Sequence, residues 1–343
     1  MVGKDAVTVS YVVPVLNEER YVRATVESIL AQEGVTDPEI FLVRGASTDG
    51  TNAIIDELAA RHPEITVIEN PRNGISIAMN LGFEAATRDV VVRVDAHSVL
   101  PPSYTRIMVA ALHESGAINA GGRMKAEGLT PFQRAVAWAY NSRAGLGGGI
   151  YHVGGEPGPA ESAYLGVFRR NAVLKVGGFD ESLSRGEDWE LNQRLRADGG
   201  EVWFVPEIEV VYRPRSTVRT LSRQFLASGR WRGELMRRMP GRVSLRYLVP
   251  PVFVLGLAAA LIAAVVSPAL SGAARVVALV IAIAPVSAYA LWVAAAALAP
   301  GDLDRSARLR LFAVIPLTQV SWGAGCLLGL VSPRRGLSGF HGR

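Results

Sequence analysis

The chain has 343 residues, a formal net charge of +5, a pI near 9.5, a mean hydropathy of +0.22 and 49% hydrophobic residues. That balance is too apolar for an ordinary soluble protein and points to one large domain plus membrane segments. The single cysteine, Cys326, excludes an intrachain disulfide framework and fits a reducing compartment.

Met1 to Asp5 leads straight into an alternating strand pattern with no cleavable apolar leader, so the N-terminal part is expected to stay in the cytoplasm. Val7 to Val15 reads as a buried strand. Asn17-Glu18-Glu19 follows, then a helix with Val22, Val26, Ile29 and Leu30 at a 3.6 period. Glu39 to Val43 is a second strand, and Ser47-Thr48-Asp49-Gly50-Thr51 is a turn that opens a helix through Ile54, Ile55 and Leu58. Ile65 to Glu69 reads as a third strand, Ile75 to Ala86 as a helix and Asp89 to Val94 as a fourth strand. This order predicts an α/β fold with a mostly parallel central sheet, helices on both faces and a ligand site at the C-terminal strand ends. The turns at those ends run from Pro14 to Glu18, Arg44 to Asp49 and Asp95 to His97.

Further along, the glycine-rich stretch Gly145 to Gly158, with His152 and Glu156, reads either as a mobile lid or as a loop without catalytic duty. Glu187-Asp188-Trp189-Glu190 opens a helical pattern from Leu191 to Ala197, whose N-terminal dipole favours carboxylates. Those acids read either as functional groups or as ordinary first-turn decoration. Ser216 to Met239 sets Val218, Leu221, Phe225, Leu235 and Met239 among arginines, the pattern of a basic amphipathic helix in a membrane interface. The arginines from Arg213 to Arg246 gather just before the first long apolar stretch. They point to positive-inside topology and anionic headgroups, not to nucleic acid.

Three apolar stretches, about 247–270, 276–299 and 311–331, each meet the length of a spanning helix, and their prolines and glycines are tolerable there. The expected organisation is therefore a soluble domain over residues 1–212, a basic interfacial segment over 213–246, three spans over 247–331 and a tail over 332–343. Three crossings would carry the tail to the far side of the membrane. Arg334, Arg335 and Arg343 in that tail run against such a placement.

The stretches Val12-Val13-Pro14-Val15-Leu16-Asn17-Glu18-Glu19, Ser47-Thr48-Asp49-Gly50-Thr51, Asn73-Gly74 with Asn80, Asp95-Ala96-His97, Gly177-Gly178-Phe179-Asp180 and Glu187-Asp188 occur here in the order they have in family 2 glycosyltransferases, and the chain resembles that family over roughly Val7 to Arg238. With Tyr212-Arg213-Pro214-Arg215 and Gln224 through Gly229-Arg230-Trp231, it is most similar to the bacterial exopolysaccharide glucosyltransferases of the succinoglycan type. The resemblance implies a GT-A fold and an inverting transfer of one sugar from a nucleotide-sugar donor, a UDP-hexose, to a polyprenyl-linked saccharide at the bacterial inner membrane, with the catalytic domain cytoplasmic. It implies Asp188 as general base, with Glu187 and Glu190 as alternatives. Pro14, Asn17, Glu18, Asn73, Gly74, Asn80 and Asp95 are implied on the donor side, and Glu190, Arg230 and Trp231 at the diphosphate or acceptor.

Neutralising a departing diphosphate is done most simply by Mg²⁺ or Mn²⁺ held by few protein ligands. Asp95 and His97 stand two apart at a strand end, where alternation lets both face one cleft. The imidazole in place of the family's usual second aspartate favours Mn²⁺. Arg44-Gly45-Ala46 departs from the family, which has an acidic residue against the base. An arginine has only donors, so Arg44 is expected to meet a base carbonyl or a phosphate, or to mark a different nucleotide. The spacing from Gln224 to Arg230-Trp231 is longer than in polymer synthases, and few spans leave little for a channel, so single-sugar transfer is expected. Two other readings use the same residues: a polyprenyl-phosphate sugar synthase, and an inactive membrane scaffold.

Overall fold

The computed structural model describes residues 6–146, 149–183, 185–238 and 245–332. In chain order its elements are β1 (Ser10–Val15), α1 (Val22–Leu30), β2 (Glu39–Arg44), α2 (Thr51–Arg61), β3 (Ile65–Glu69), α3 (Ile75–Ala85), β4 (Val90–Arg93), α4 (Tyr104–Ser115), β5 (Asn119–Ala126), α5 (Pro131–Asn141), α6 (Arg143–Leu146), α7 (Ile150–Val153), β6 (Gly158–Pro159), β7 (Tyr164–Arg169), α8 (Arg170–Lys175), α9 (Glu187–Ala197), β8 (Val202–Tyr212), α10 (Val218–Arg238), α11 (Val249–Val266), α12 (Gly272–Leu298) and α13 (Arg305–Val331). They form two compact units. One holds residues 6–125 and 149–212, the other residues 126–146 and 213–332.

In the first unit the strands lie in the order β3-β2-β1-β4-β7-β5-β8-β6. The four strands read from the sequence pair in parallel, while β7 runs antiparallel to both β4 and β5. Side chains alternate across β1. Tyr11, Val13 and Val15 enter a core with Val26 of α1, Ile55 of α2 and Met108 of α4, whereas Val12 enters a second core with Met79 and Phe83 of α3, Phe168 and Leu191. In the second core the rings of Phe83, Phe168 and Phe179 lie 5.8–6.3 Å apart, within the range of favourable edge contacts.

Pro14 sits inside β1 without breaking the sheet. Val12 accepts from Val94, so even positions of β1 face β4, and the pairing with β4 ends before Pro14 is reached. The missing N–H therefore costs no ladder bond.

The second unit begins with α5, opened by a capping box between Thr130 and Gln133 with Pro131 in the first turn. Helices α11 to α13 supply three segments long and apolar enough to cross a membrane, Val249–Ala269, Gly272–Leu298 and Arg305–Val331. The third begins six residues before the apolar stretch, because Asp304 caps the helix by accepting from Ala307 N at 3.0 Å, so Arg305, Arg308 and Arg310 join its first turns. Helix α10 buries Leu221, Phe225, Trp231 and Leu235, and with them Arg232 and Glu234. Tyr140 of α5 meets Phe225 edge-on, with ring centroids 5.8 Å apart. Met239, Arg242, Arg334, Arg335 and Arg343 lie outside the described residues, as do residues 147–148 of the expected lid.

Candidate active site

The C-terminal end of β4 holds a buried cation that sequence reasoning passed over. Arg93 is the last residue of β4 and shares a face with Val91, which turns it toward α9. Its Nη2 lies 3.1 Å from Glu187 Oε1 and 3.2 Å from Asp95 Oδ1, and its side chain is only 8% exposed. Burial works to lower the guanidinium pKa, but the carboxylates of Asp95, Glu187 and Asp188 outweigh it and hold Arg93 above its ordinary value. Its Nη1 has no hydrogen-bond partner among the described residues. A charged residue inside Val-Val-Val-Arg-Val was the available signal, because a buried strand position tolerates arginine only with partners.

Around this cation stand the acids. Helix α9 starts after Gly186, whose φ of 66° suits glycine, and carries Glu187, Asp188 and Glu190 in its first turn with Arg194 and Arg196 in its last. Both ends thus complement the helix dipole. Asp188 is half-buried and accepts from the N–H of Trp189 at 2.7 Å. Tyr164 of β7 adds a phenol whose pKa is raised by burial and by the charge of Asp95. The next residue, Leu165, has a φ of 49°, a left-handed conformation uncommon for a branched side chain.

Glu187 is pushed above the usual carboxylate range by burial, although Arg93 pulls the other way. A raised folded pKa means that its favourable contribution is complete below the unfolded value and is lost as pH rises through the folded value. Glu187→Gln is therefore expected to gain thermal stability relative to the natural chain as pH is taken from 4 to 8. A melting-temperature difference that stays constant or reverses would refute this.

Asp95 and His97 do not owe their placement to strand alternation, because β4 stops at Arg93 and the N–H of Ser98 closes a turn onto the carbonyl of Asp95. Asp95 leans on Arg93, while His97 Nδ1 lies 3.3 Å from Glu18 Oε1. Among the described residues no three carboxylate, imidazole or thiol groups gather as a metal cage. The available set of Asp95 and His97 suits a cation whose shell is completed by substrate oxygens.

Several residues expected on the donor side are engaged with protein. Asn17, at a φ of 56°, accepts from Thr48 N at 2.7 Å and donates its own N–H to Ser47 Oγ at 2.9 Å. Glu18 N donates to Thr51 Oγ1 at 2.8 Å, which fastens the loop after β1 to the start of α2. Asn73 Oδ1 accepts from Ala46 N at 2.7 Å, and Gly74 O accepts from Asn70. Asn80 grips the backbone of Phe179 from both sides, at 2.7 and 2.9 Å, so it pins the Gly177-Gly178-Phe179 turn. Glu190 chelates Arg194 at 2.7–2.8 Å, and Arg194 in turn donates to the carbonyls of Val176 and Gly178.

Arg44 is held in the same way. Its guanidinium bridges Glu69 of β3 at 2.7–2.8 Å and Asp56 of α2 at 2.5 Å, and these partners, Glu69 foremost, raise its pKa. Both carboxylates are largely exposed, so the edge that β2 and β3 present to solvent is acidic although the β2 residue is basic. His152 on α7 is driven down to a pKa of about 4 by burial, which leaves its ring neutral near pH 7. Arg230 and Trp231 belong to the second unit, on α10, where Arg232 lies over the rings of Trp231 and Tyr247 at 4.6 and 4.1 Å.

A parallel β-α-β half, an antiparallel remainder and acids clustered where β4 ends are the arrangement of a GT-A sugar-transfer domain. The pattern of glycosyl transferase family 2 matches residues 10–177. Succinoglycan biosynthesis protein ExoA of Rhizobium meliloti (strain 1021) is 33% identical over 244 residues, 70% of this chain and 73% of the relative. The dolichyl N-acetyl-alpha-D-glucosaminyl phosphate 3-beta-D-2,3-diacetamido-2,3-dideoxy-beta-D-glucuronosyltransferase of Methanococcus voltae is 23% identical over 253 residues, 71% of this chain and 77% of that one. In fold the chain is similar to mannosyltransferase PcManGT from Pyrobaculum calidifontis, solved with GDP-Man and Mn²⁺, with a TM-score of 0.61 and 20% identity over 94% of this chain and 87% of that one. The chain belongs to glycosyl transferase family 2 and is a glycosyltransferase.

Proposed function

We propose that this glycosyltransferase is inverting and metal-dependent, and that it moves a single sugar from a nucleotide-sugar, in the first instance a UDP-hexose, to a polyprenyl-linked saccharide in exopolysaccharide or cell-envelope glycan synthesis. The catalytic unit works on the cytoplasmic face of a bacterial inner membrane. The observation that carries the reading is the set of Asp95, Glu187 and Asp188 around buried Arg93, on a chain that also has long apolar helices. Similarity to a succinoglycan biosynthesis protein supports the acceptor class.

In this reading Asp188 takes the proton of the acceptor hydroxyl as that oxygen attacks the anomeric carbon from the face opposite the donor phosphate. The bond from the anomeric carbon to the phosphate oxygen breaks, and the nucleoside diphosphate leaves with the electron pair. Arg93 keeps Asp95 and Glu187 in place and lets three carboxylates share one corner. Asp95 and His97 would hold Mg²⁺ or Mn²⁺, with Mn²⁺ favoured by the imidazole, and the cation would supply positive charge to the departing diphosphate. Glu69 and Asp56, presented by Arg44, restore acceptor oxygens near the end of β2 and keep a uracil donor compatible with this chain.

The test is nucleotide release by the purified, detergent-solubilised protein across UDP-, GDP- and dTDP-sugars, with polyprenyl-linked saccharide acceptors present and with Mn²⁺, Mg²⁺ or chelator. Release from a UDP-sugar that chelator abolishes is the expected result. Release from a GDP- or dTDP-sugar alone overturns the donor, and release that persists in chelator overturns the metal.

A further inference from the structure

We propose that α13 lies along the bilayer surface on the side of the first unit, and that α11 and α12 form the membrane-crossing hairpin. By length and composition α13 also qualifies as a crossing helix. Its partners within the second unit argue otherwise. At its N-terminal end Asp304 pairs with Arg134 of α5 at 2.8–2.9 Å. Near its middle Gln319 donates to the carbonyl of Ala144 in α6 at 3.4 Å.

Along its second half, Gly325 and Gly329 lie against the backbone of Leu226 and Arg230 of α10. Gly229 and Gly233 of α10 lie against Trp322 and Cys326 in return, and a methyl group at any of the four glycines would overlap backbone. At its C-terminal end the carbonyl of Ser332 accepts from Arg237.

These contacts run the whole length of α13, about 40 Å for 27 residues. The hydrocarbon layer is about 30 Å thick. Were α13 a crossing helix, one of its two bonded ends would stand on the far side and take its partner there. Helices α5 and α6 cannot follow, because the chain leaves the first unit after Lys125 and returns to it at Gly149, and α5 has only 11 residues. Nor can α10 enter the bilayer, since Arg219, Arg223, Arg230, Arg232, Glu234 and Arg237 are spread along it.

The face of α13 turned away from these partners carries exposed Leu309, Phe312, Val320, Leu328 and Val331 down one side. The bilayer surface is its occupant. That stripe borders the hairpin, where Tyr289 of α12 donates to Gln319 at 2.8 Å and Gly323 lies against Pro250 of α11. Arg305, Arg308 and Arg310 in the first turns suit anionic headgroups. Two crossings also bring the tail, with Arg334, Arg335 and Arg343, back to the side of the N-terminal unit, as the positive-inside rule asks.

The test places single cysteines in the full chain carrying Cys326→Ala. Ala60→Cys reports the first unit, Ser271→Cys the turn between α11 and α12, and Ser332→Cys the end of α13. Each is labelled with a membrane-impermeant maleimide in intact cells and in inverted membrane vesicles. Ala60→Cys and Ser332→Cys are expected to label from one face and Ser271→Cys from the other. Labelling of Ser332→Cys together with Ser271→Cys, or of all three from one face, overturns the proposal. Protease protection of a C-terminal tag on the chain with its native cysteine gives the same reading should Cys326→Ala fail to fold: cleavage from the face of the first unit supports the surface helix, and cleavage from the opposite face refutes it.

Discussion

Asp188→Asn is expected to slow sugar transfer by about 10²–10⁴-fold, the range of a lost general base, while leaving nucleotide-sugar affinity nearly unchanged. The substitution keeps size and shape, and the amide oxygen can still accept from Trp189 N as the carboxylate does at 2.7 Å. In the proposed mechanism, what it removes is the capacity to take a proton from the acceptor hydroxyl. Nucleotide release at saturating donor and acceptor measures the rate, and calorimetric titration of the donor measures the affinity. The informative comparison is between the two. A variant with full transfer activity would sink the base assignment and favour a polyprenyl phosphate as acceptor, since a phosphate oxygen needs no strong base. A variant that also loses donor binding would instead mean that Asp188 holds the donor.

Arg93→Met should be strongly destabilising. It removes the cation that Asp95 and Glu187 contact and leaves buried Glu187 beside the partly buried carboxylates of Asp95 and Asp188. Breaking a buried pair in this way costs about 3–5 kcal/mol. For a domain of this size that is a fall of roughly 6–20 °C in melting temperature. The deficit should shrink as pH is lowered, because Glu187 protonates readily once its partner is gone and the corner then loses charge. Arg93→Lys, which keeps the charge but not the two-pronged geometry, should fall between the two. A melting temperature for Arg93→Met equal to that of the natural chain would show that the cluster is not held by this cation.

The parallel half of the sheet was legible in the sequence because β1 to β4 are short apolar runs separated by helices with a clear 3.6 period. The other half was not. In β5 the run Asn-Ala-Gly-Gly-Arg-Met-Lys-Ala contains two glycines, and both lie where a side chain would meet neighbouring residues, Ala163 and Ile208, so the strand is selected by close packing and not by alternation. The acidic turn before α9 was also legible, yet its division of labour was not. Glu190 read as an alternative to Asp188 and as a diphosphate or acceptor contact, but one helical turn onward stands Arg194, and the i, i+4 pair engages Glu190. Asn80 carried a motif signal for the donor side, whereas in the fold its amide is occupied by the Phe179 backbone.

The sequence by itself determined the family, the α/β order of the first half, the position of the acidic motifs and the presence of three long apolar helices. Each of these is written in local periodicity or in short ordered motifs, which need no knowledge of what the chain folds against. Only the tertiary structure decided that Arg93 holds the carboxylates, that Arg44 is bound by Glu69 and Asp56, and that α10 and α13 meet through paired glycines. Those outcomes depend on partners up to about a hundred residues away, and a charged or glycine position does not announce its partner until the chain has brought the two together.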